Sequence, residues 1–208
     1  MAEAAAAACG AALPRVQRVL PVTDVRVVVP ADDEAAARLV PQAGDLAGVA
    51  AVATEDRVVL VPGGFRSLTP TGQRVVLAHE ITHLATRAWT TARTPLWLVE
   101  GLAEHVAFSA FPLPDRQAAA ELAQDVRRGV LPRALPDDGA FGGPRPAQAY
   151  QQSWLAVDLL TRRYGDEAVL AAYRRAGAAG TTAALRALGV APADLVAAWR
   201  SDLRRRLA

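Results

Sequence analysis

Three residues within five positions carry the chemistry that this chain could do: His79, Glu80 and His83, in the stretch VVLAHEITHLATRAW at 75–89. Two of the chain's three histidines stand here, four residues apart. On a helix that spacing puts both imidazoles on one face, one turn apart, close enough to reach a single ion. Glu80 is rotated from His79 by about 100°, which takes it off the ligand face. From there a carboxylate can lean over a metal-activated water and take its proton, which is what hydrolysis asks of a general base. An ordinary solvated helix face that happens to read His-Glu-x-x-His is the plain alternative, and these five residues alone do not decide between the two.

A third ligand decides. A catalytic zinc site with two histidines adds one more protein ligand and leaves a position open for water. After His83 the chain reads HLATRAWTTAR, and no histidine follows until His105, so a third histidine a few residues on is excluded. PLWLVEGLAEH at 95–105 instead offers Glu100 and Glu104 on a second helix. The 16 residues from 84 to 99 leave room for a helix end, a turn and an antiparallel return. A carboxylate from that second helix would complete a His2Glu site, with His105 facing away from the metal.

Together, HEITH and PLWLVEGLAEH resemble the gluzincin metallopeptidases, most closely their small peptidase-MA-like branch. The Pro and Trp-Leu that lead into Glu-Gly-x-Ala are similar to the corresponding helix of aminopeptidase-N-type enzymes. The resemblance implies a zincin-like core in which His79, His83 and Glu100 bind Zn2+ and Glu80 is the base. Thermolysin-like gluzincins place an acid four residues after the ligand glutamate. By that likeness Glu104 accepts the far N–H of His79, fixing its tautomer and raising its basicity. The resemblance also gives Tyr150, at the start of the helix in AQAYQQSWLAVDLLTRRYG, a catalytic part in holding the oxyanion. The G-x-M-E-N segment with which aminopeptidase-N-type enzymes capture a free amino terminus is absent, so nothing here implies an exopeptidase.

The expected function is therefore a zinc-dependent peptidase that uses a metal-activated water, with a peptide or protein as substrate. A zinc hydrolase of non-peptide amides and a catalytically silent zinc-binding scaffold are the alternatives. The net charge is only +2 and no long basic run occurs, which argues against a nucleic-acid partner. All 23 basic residues are arginine, lysine and asparagine are missing and alanine is abundant, a bias that reads as coding drift rather than function. The longest apolar run, AAAAACGAAL at 4–13, is too short to span a bilayer and lacks a basic leader, so no membrane contact by this chain is expected. An extracytoplasmic location follows from the resemblance only if an upstream segment was removed. The single cysteine, Cys9, excludes an intramolecular disulfide.

The elements that must position these residues read as α+β. Helical patterns at 4–20 and 31–40 flank a strand at 24–30, and two strands around 47–62 form a hairpin through Thr-Glu-Asp. The strand at 57–61 precedes the histidine helix and is expected at a sheet edge, where it could align an extended peptide by backbone pairing. Thr69 as N-cap and Pro70 in the first turn predict the histidine helix over 70–87. Helices follow at 95–110, 114–129, 147–164, 166–176, 180–188 and 192–207, with a Pro- and Gly-rich loop at 131–146. The organisation predicted is a single domain, 1–208, with an α/β lobe at 1–88 ending in the histidine helix and a helical lobe at 89–208. Trp89, Trp154, Trp199, Tyr164 and Tyr173 fall in core-like patterns, and RSDLRRRLA reads as a solvated helix end.

Overall fold

Short β-branched runs and longer Ala- and Leu-rich stretches resolve into one small sheet and eleven α-helices in the computed structural model, which describes residues 1–88 and 93–208. The coarse class is α+β, mostly helical. The expectation for Trp89 lies outside the described residues. The chain divides into two compact units, Met1–Trp89 with Val106–Pro112, and Thr90–His105 with Leu113–Ala208. No helix among the described residues is long and apolar enough to cross a membrane.

In the first unit, β1 (Val27–Val28), β2 (Ala51–Ala53) and β3 (Val58–Leu60) form a sheet in the order β1-β3-β2. β1 runs parallel to β3 with Val27 opposite Val58, and β2 runs antiparallel with Val52 opposite Val59. The strand expected at the edge is therefore the middle one. Its backbone is paired on both sides, and β2 is an edge strand instead. The apolar run VVLV at 58–61 is the reason: alternate residues face opposite sides of a sheet, and here both sides are buried. Val59 and Val61 pack with Ala36 and Val40 against α2 (Asp33–Leu39), whose first turn is capped by Asp32 accepting from the Ala35 N–H at 2.8 Å.

The same unit contains α1 (Ala2–Val16), α3 (Pro62–Ser67) and α4 (Pro70–Thr86). α1 buries a stripe of Ala5, Ala8, Ala12 and Val16 and packs on α4, small residues permitting close approach. α3 is a helix that the sequence did not suggest, because Pro-Gly-Gly reads as a breaker. Its backbone explains the composition. Pro62 occupies the first turn, the Gly63 N–H donates to Asp33 Oδ1 at 2.7 Å, and a Cβ at Gly64 would stand 2.0 Å from the Val49 carbonyl oxygen.

The second unit is helical. It holds most of α5 (Leu96–Ala110), then α6 (Asp115–Ala118), α7 (Ala120–Arg127), α8 (Pro146–Tyr164), α9 (Asp166–Ala179), α10 (Thr181–Ala187) and α11 (Pro192–Leu207). The helix expected over 114–129 is two, broken at buried Ala119, and Gln151 of α8 accepts from the Leu122 N–H at 2.9 Å in the first turn of α7. Trp154, Tyr173 and Trp199 are buried as expected, whereas Tyr164 is exposed at the end of α8.

The C-terminal arginines are not all solvated. Arg206 donates to Asp115 at 2.6 and 2.9 Å and to Asp158 at 2.5 Å, and lies 5.6 Å from the centre of the Trp154 ring. Fully buried Asp202 accepts from Arg162 at 2.5 Å and from Arg205. These ions tie α6, α8 and α11 together. His105 joins the same network, with Nδ1 3.3 Å from Asp158 and Nε2 3.2 Å from Asp166.

Gly101 of α5 lies where a Cβ would stand 2.5 Å from the Ser153 carbonyl oxygen of α8. Gly101→Ala must push these helices apart, and urea denaturation is expected to show a loss of about 1–3 kcal/mol. The ion network generates a second expectation. Burial alone would raise the Asp158 pKa, but the His105 hydrogen bond and the Arg206 and Arg162 cations outweigh it and hold the carboxyl well below its ordinary range. A depressed folded pKa means stability that is present above the unfolded value, about 3.9, and lost as pH falls below it. Urea midpoints should therefore fall below about pH 4 in the wild type, and the fall should be shallower in Asp158→Asn, itself less stable at pH 7.

Candidate metal centre

The site begins with the helix that carries His79 and His83. Thr69 caps α4 by accepting from the Gly72 N–H at 3.1 Å, Pro70 sets the first turn, and Arg87 ends the helix in the left-handed region at φ 51°. Leu77, Ala78, Ile81 and Thr82 are buried, which fixes how the helix is rotated and leaves His79, Glu80 and His83 half-buried. The Nε2 atoms of His79 and His83 are 2.9 Å apart, their rings meeting edge to face with centres separated by 4.6 Å. Two nitrogens bound to one ion in a tetrahedral site at about 2.0–2.1 Å each would stand about 3.3 Å apart. The pair is therefore within a few tenths of an ångström of a shared-ion geometry.

Glu100 is the third member. Ligand atoms of His79, His83 and Glu100 all lie within 4.8 Å of one another, and the three could hold a metal ion. The structure thus brings together the three residues that the sequence singles out as metal ligands. The start of the helix bearing Glu100 is fixed by a residue that sequence reasoning passed over: Asp138 Oδ1 accepts from the Leu96 N–H at 2.8 Å. Asp138 lies in the 131–146 loop, in a 3-10 turn over Asp138–Gly142 that Asp137 caps through the Ala140 N–H. A carboxylate at a helix N-terminus satisfies an orphan donor and is favoured by the helix dipole. The only signal in the sequence was the Asp-Asp pair itself, and nothing in it points 42 residues back along the chain.

Glu80 is anchored by the sheet. Its Oε2 accepts from the backbone N–H of Ala53 in β2 at 2.7 Å. In the antiparallel pair, Thr54 donates to Arg57 and Val61 donates to Ala50, so the N–H of Ala53 falls on the side of β2 away from β3. The acid is thus tethered to the outer edge of the sheet. No side-chain pattern could have revealed Ala53, because the group it uses belongs to the backbone.

Glu104 is half-buried on α5, one turn after Glu100. Tyr150 is half-buried in the early turns of α8 and meets the ring of Phe141 edge to face, 5.1 Å between centres, so the loop turn and the tyrosine steady each other. His105 is buried and held by Asp158, Asp166 and, at 3.4 Å, by the Thr161 hydroxyl.

No protein-family model, curated protein or solved structure matches this chain.

Proposed function

We propose that this chain is a zinc-dependent peptidase that hydrolyses peptide bonds with Glu80 as general base. The observation that carries the reading is that ligand atoms of His79, His83 and Glu100 lie within 4.8 Å of one another. The donor set fits the ion: two imidazole nitrogens and one carboxylate oxygen are the protein ligands of one well-known class of catalytic zinc site. When bound, zinc would polarise a carbonyl and make water a nucleophile near neutral pH.

The chain's own residues supply the rest. Glu80 accepts a proton from the attacking water and returns it to the leaving amine. Its hydrogen bond to Ala53 holds one carboxylate oxygen in place. With the Ala53 N–H taken by Glu80, the rest of the outer edge of β2 is assigned to line up an extended peptide, since a paired central strand such as β3 has no edge to offer. Tyr150, braced by Phe141, is assigned to the oxyanion, and Glu104 to the far N–H of His79. A zinc hydrolase of non-peptide amides would use the same groups. A silent zinc scaffold has no chemical need for Glu80.

Metal analysis and peptide cleavage test the reading together. The purified protein should hold about one zinc per chain. Glu100→Ala should lose most of it, and Glu80→Gln should keep the metal while losing at least about a hundredfold in kcat, the range for a positioned proton-transfer group. A wild type that binds no zinc after reconstitution would sink the proposal. Zinc retained with no peptide cleaved would favour the scaffold.

A further inference from the structure

The tip of the β2–β3 hairpin and the end of α2 border a cavity of about 550 Å3, whose walls include Leu39, Ala53, Glu55, Asp56 and Arg57. That size falls within the range of small-ligand sites, roughly 300–1,000 Å3. One wall belongs to the candidate centre: Ala53 lines the cavity and donates its N–H to Glu80. The cavity therefore begins where the base is tethered.

Its lining is amphipathic in a specific way. Leu39 is one of the few large apolar side chains left exposed among the described residues, at 45 %. Asp56 is already engaged: Arg57 donates to it at 2.7 and 2.6 Å, Arg26 approaches at 3.4 Å, and the Arg57 hydrogen bond lowers its pKa from the ordinary value. Glu55 makes no ion pair among the described residues. An aliphatic wall beside an exposed carboxylate that makes no ion pair matches a side chain with a methylene stem and a cationic head. A neutral apolar side chain would leave Glu55 unused, and an acidic one would be repelled by it.

We infer that this cavity is a substrate pocket that takes a lysine or arginine side chain flanking the scissile bond, an assignment that rests on the peptidase reading. The test is digestion of an N-acetylated, C-amidated peptide library, read by mass spectrometry, with wild type, Glu55→Gln, Glu55→Lys and Glu80→Gln. Blocking the termini ensures that a basic side chain is the only cation on offer. Wild-type cuts should be enriched in Lys or Arg at one fixed position. The ratio of kcat/KM for a basic peptide over its norleucine analogue should fall roughly tenfold in Glu55→Lys and less in Glu55→Gln, since reversal adds repulsion to the lost attraction. Fluorescence anisotropy gives a readout without turnover: zinc-loaded Glu80→Gln should bind the labelled basic peptide more tightly than its norleucine analogue, and the added Glu55→Lys change should erase the difference. Glu80-dependent cleavage without basic preference, or with a preference that Glu55→Lys leaves intact, overturns the pocket and spares the peptidase. Absence of any Glu80-dependent cleavage overturns the peptidase reading, and the pocket's role as a substrate site with it.

Discussion

Two imidazole nitrogens 2.9 Å apart on one helix face need something between them: a proton shared by a neutral pair, or a cation that both lone pairs can reach. That requirement organises the histidine helix. The rings can converge only while α4 stays helical and keeps its rotation, and both depend on groups remote from the rings. The Thr69 cap and Pro70 start the helix, Arg87 ends it, and a buried stripe from Leu77 to Thr82 sets which face the histidines share. The alanine stripe of α1 packs on α4, without large side chains to hold the two helices apart.

The helix that bears Glu100 is held by a different kind of force. Its start is capped by a carboxylate from a distant loop, and its middle lies backbone-close to α8 at Gly101. α8 also takes part in an ion network in which Asp202 is fully buried. An ion network of this sort contributes little net stability where hydrophobic residues could replace it, but removing one partner leaves a stranded charge at high cost. Its value here is geometric: Arg206 accommodates Asp115 and Asp158 at once, which fixes the register of three helices.

The histidine pair was legible because its spacing is local, one helical turn from His79 to His83, whereas the choice of Glu100 over Glu104 as their companion came from the resemblance and not from spacing. The bounds of α4 were legible because Thr69 and Pro70 act on their immediate neighbours. What escaped was mostly long-range. Asp138 caps a helix 42 residues earlier, and Ala53 acts through its amide. α3 hides behind Pro-Gly-Gly, since the steric need for Gly64 comes from Val49, across the fold. Two misreadings were avoidable. The unbroken apolar run at 58–61 already marks a strand covered on both faces and argues against an edge. Trp199, Asp202, Leu203 and Arg206 follow helical spacing and share one inward face, which argues against a wholly solvated end.

The tether between Glu80 and Ala53 also bears on how the chain can change over generations. A backbone N–H is supplied by every residue except proline. The side chain at position 53 can therefore drift among small residues, as the alanine-rich coding of this chain invites, while the donor stays in place. A carboxylate positioned by a neighbouring side chain would be exposed to every substitution there. One positioned by a strand's amide is insulated from nearly all of them, so mutational tolerance in β2 and constancy of the Glu80 geometry are compatible.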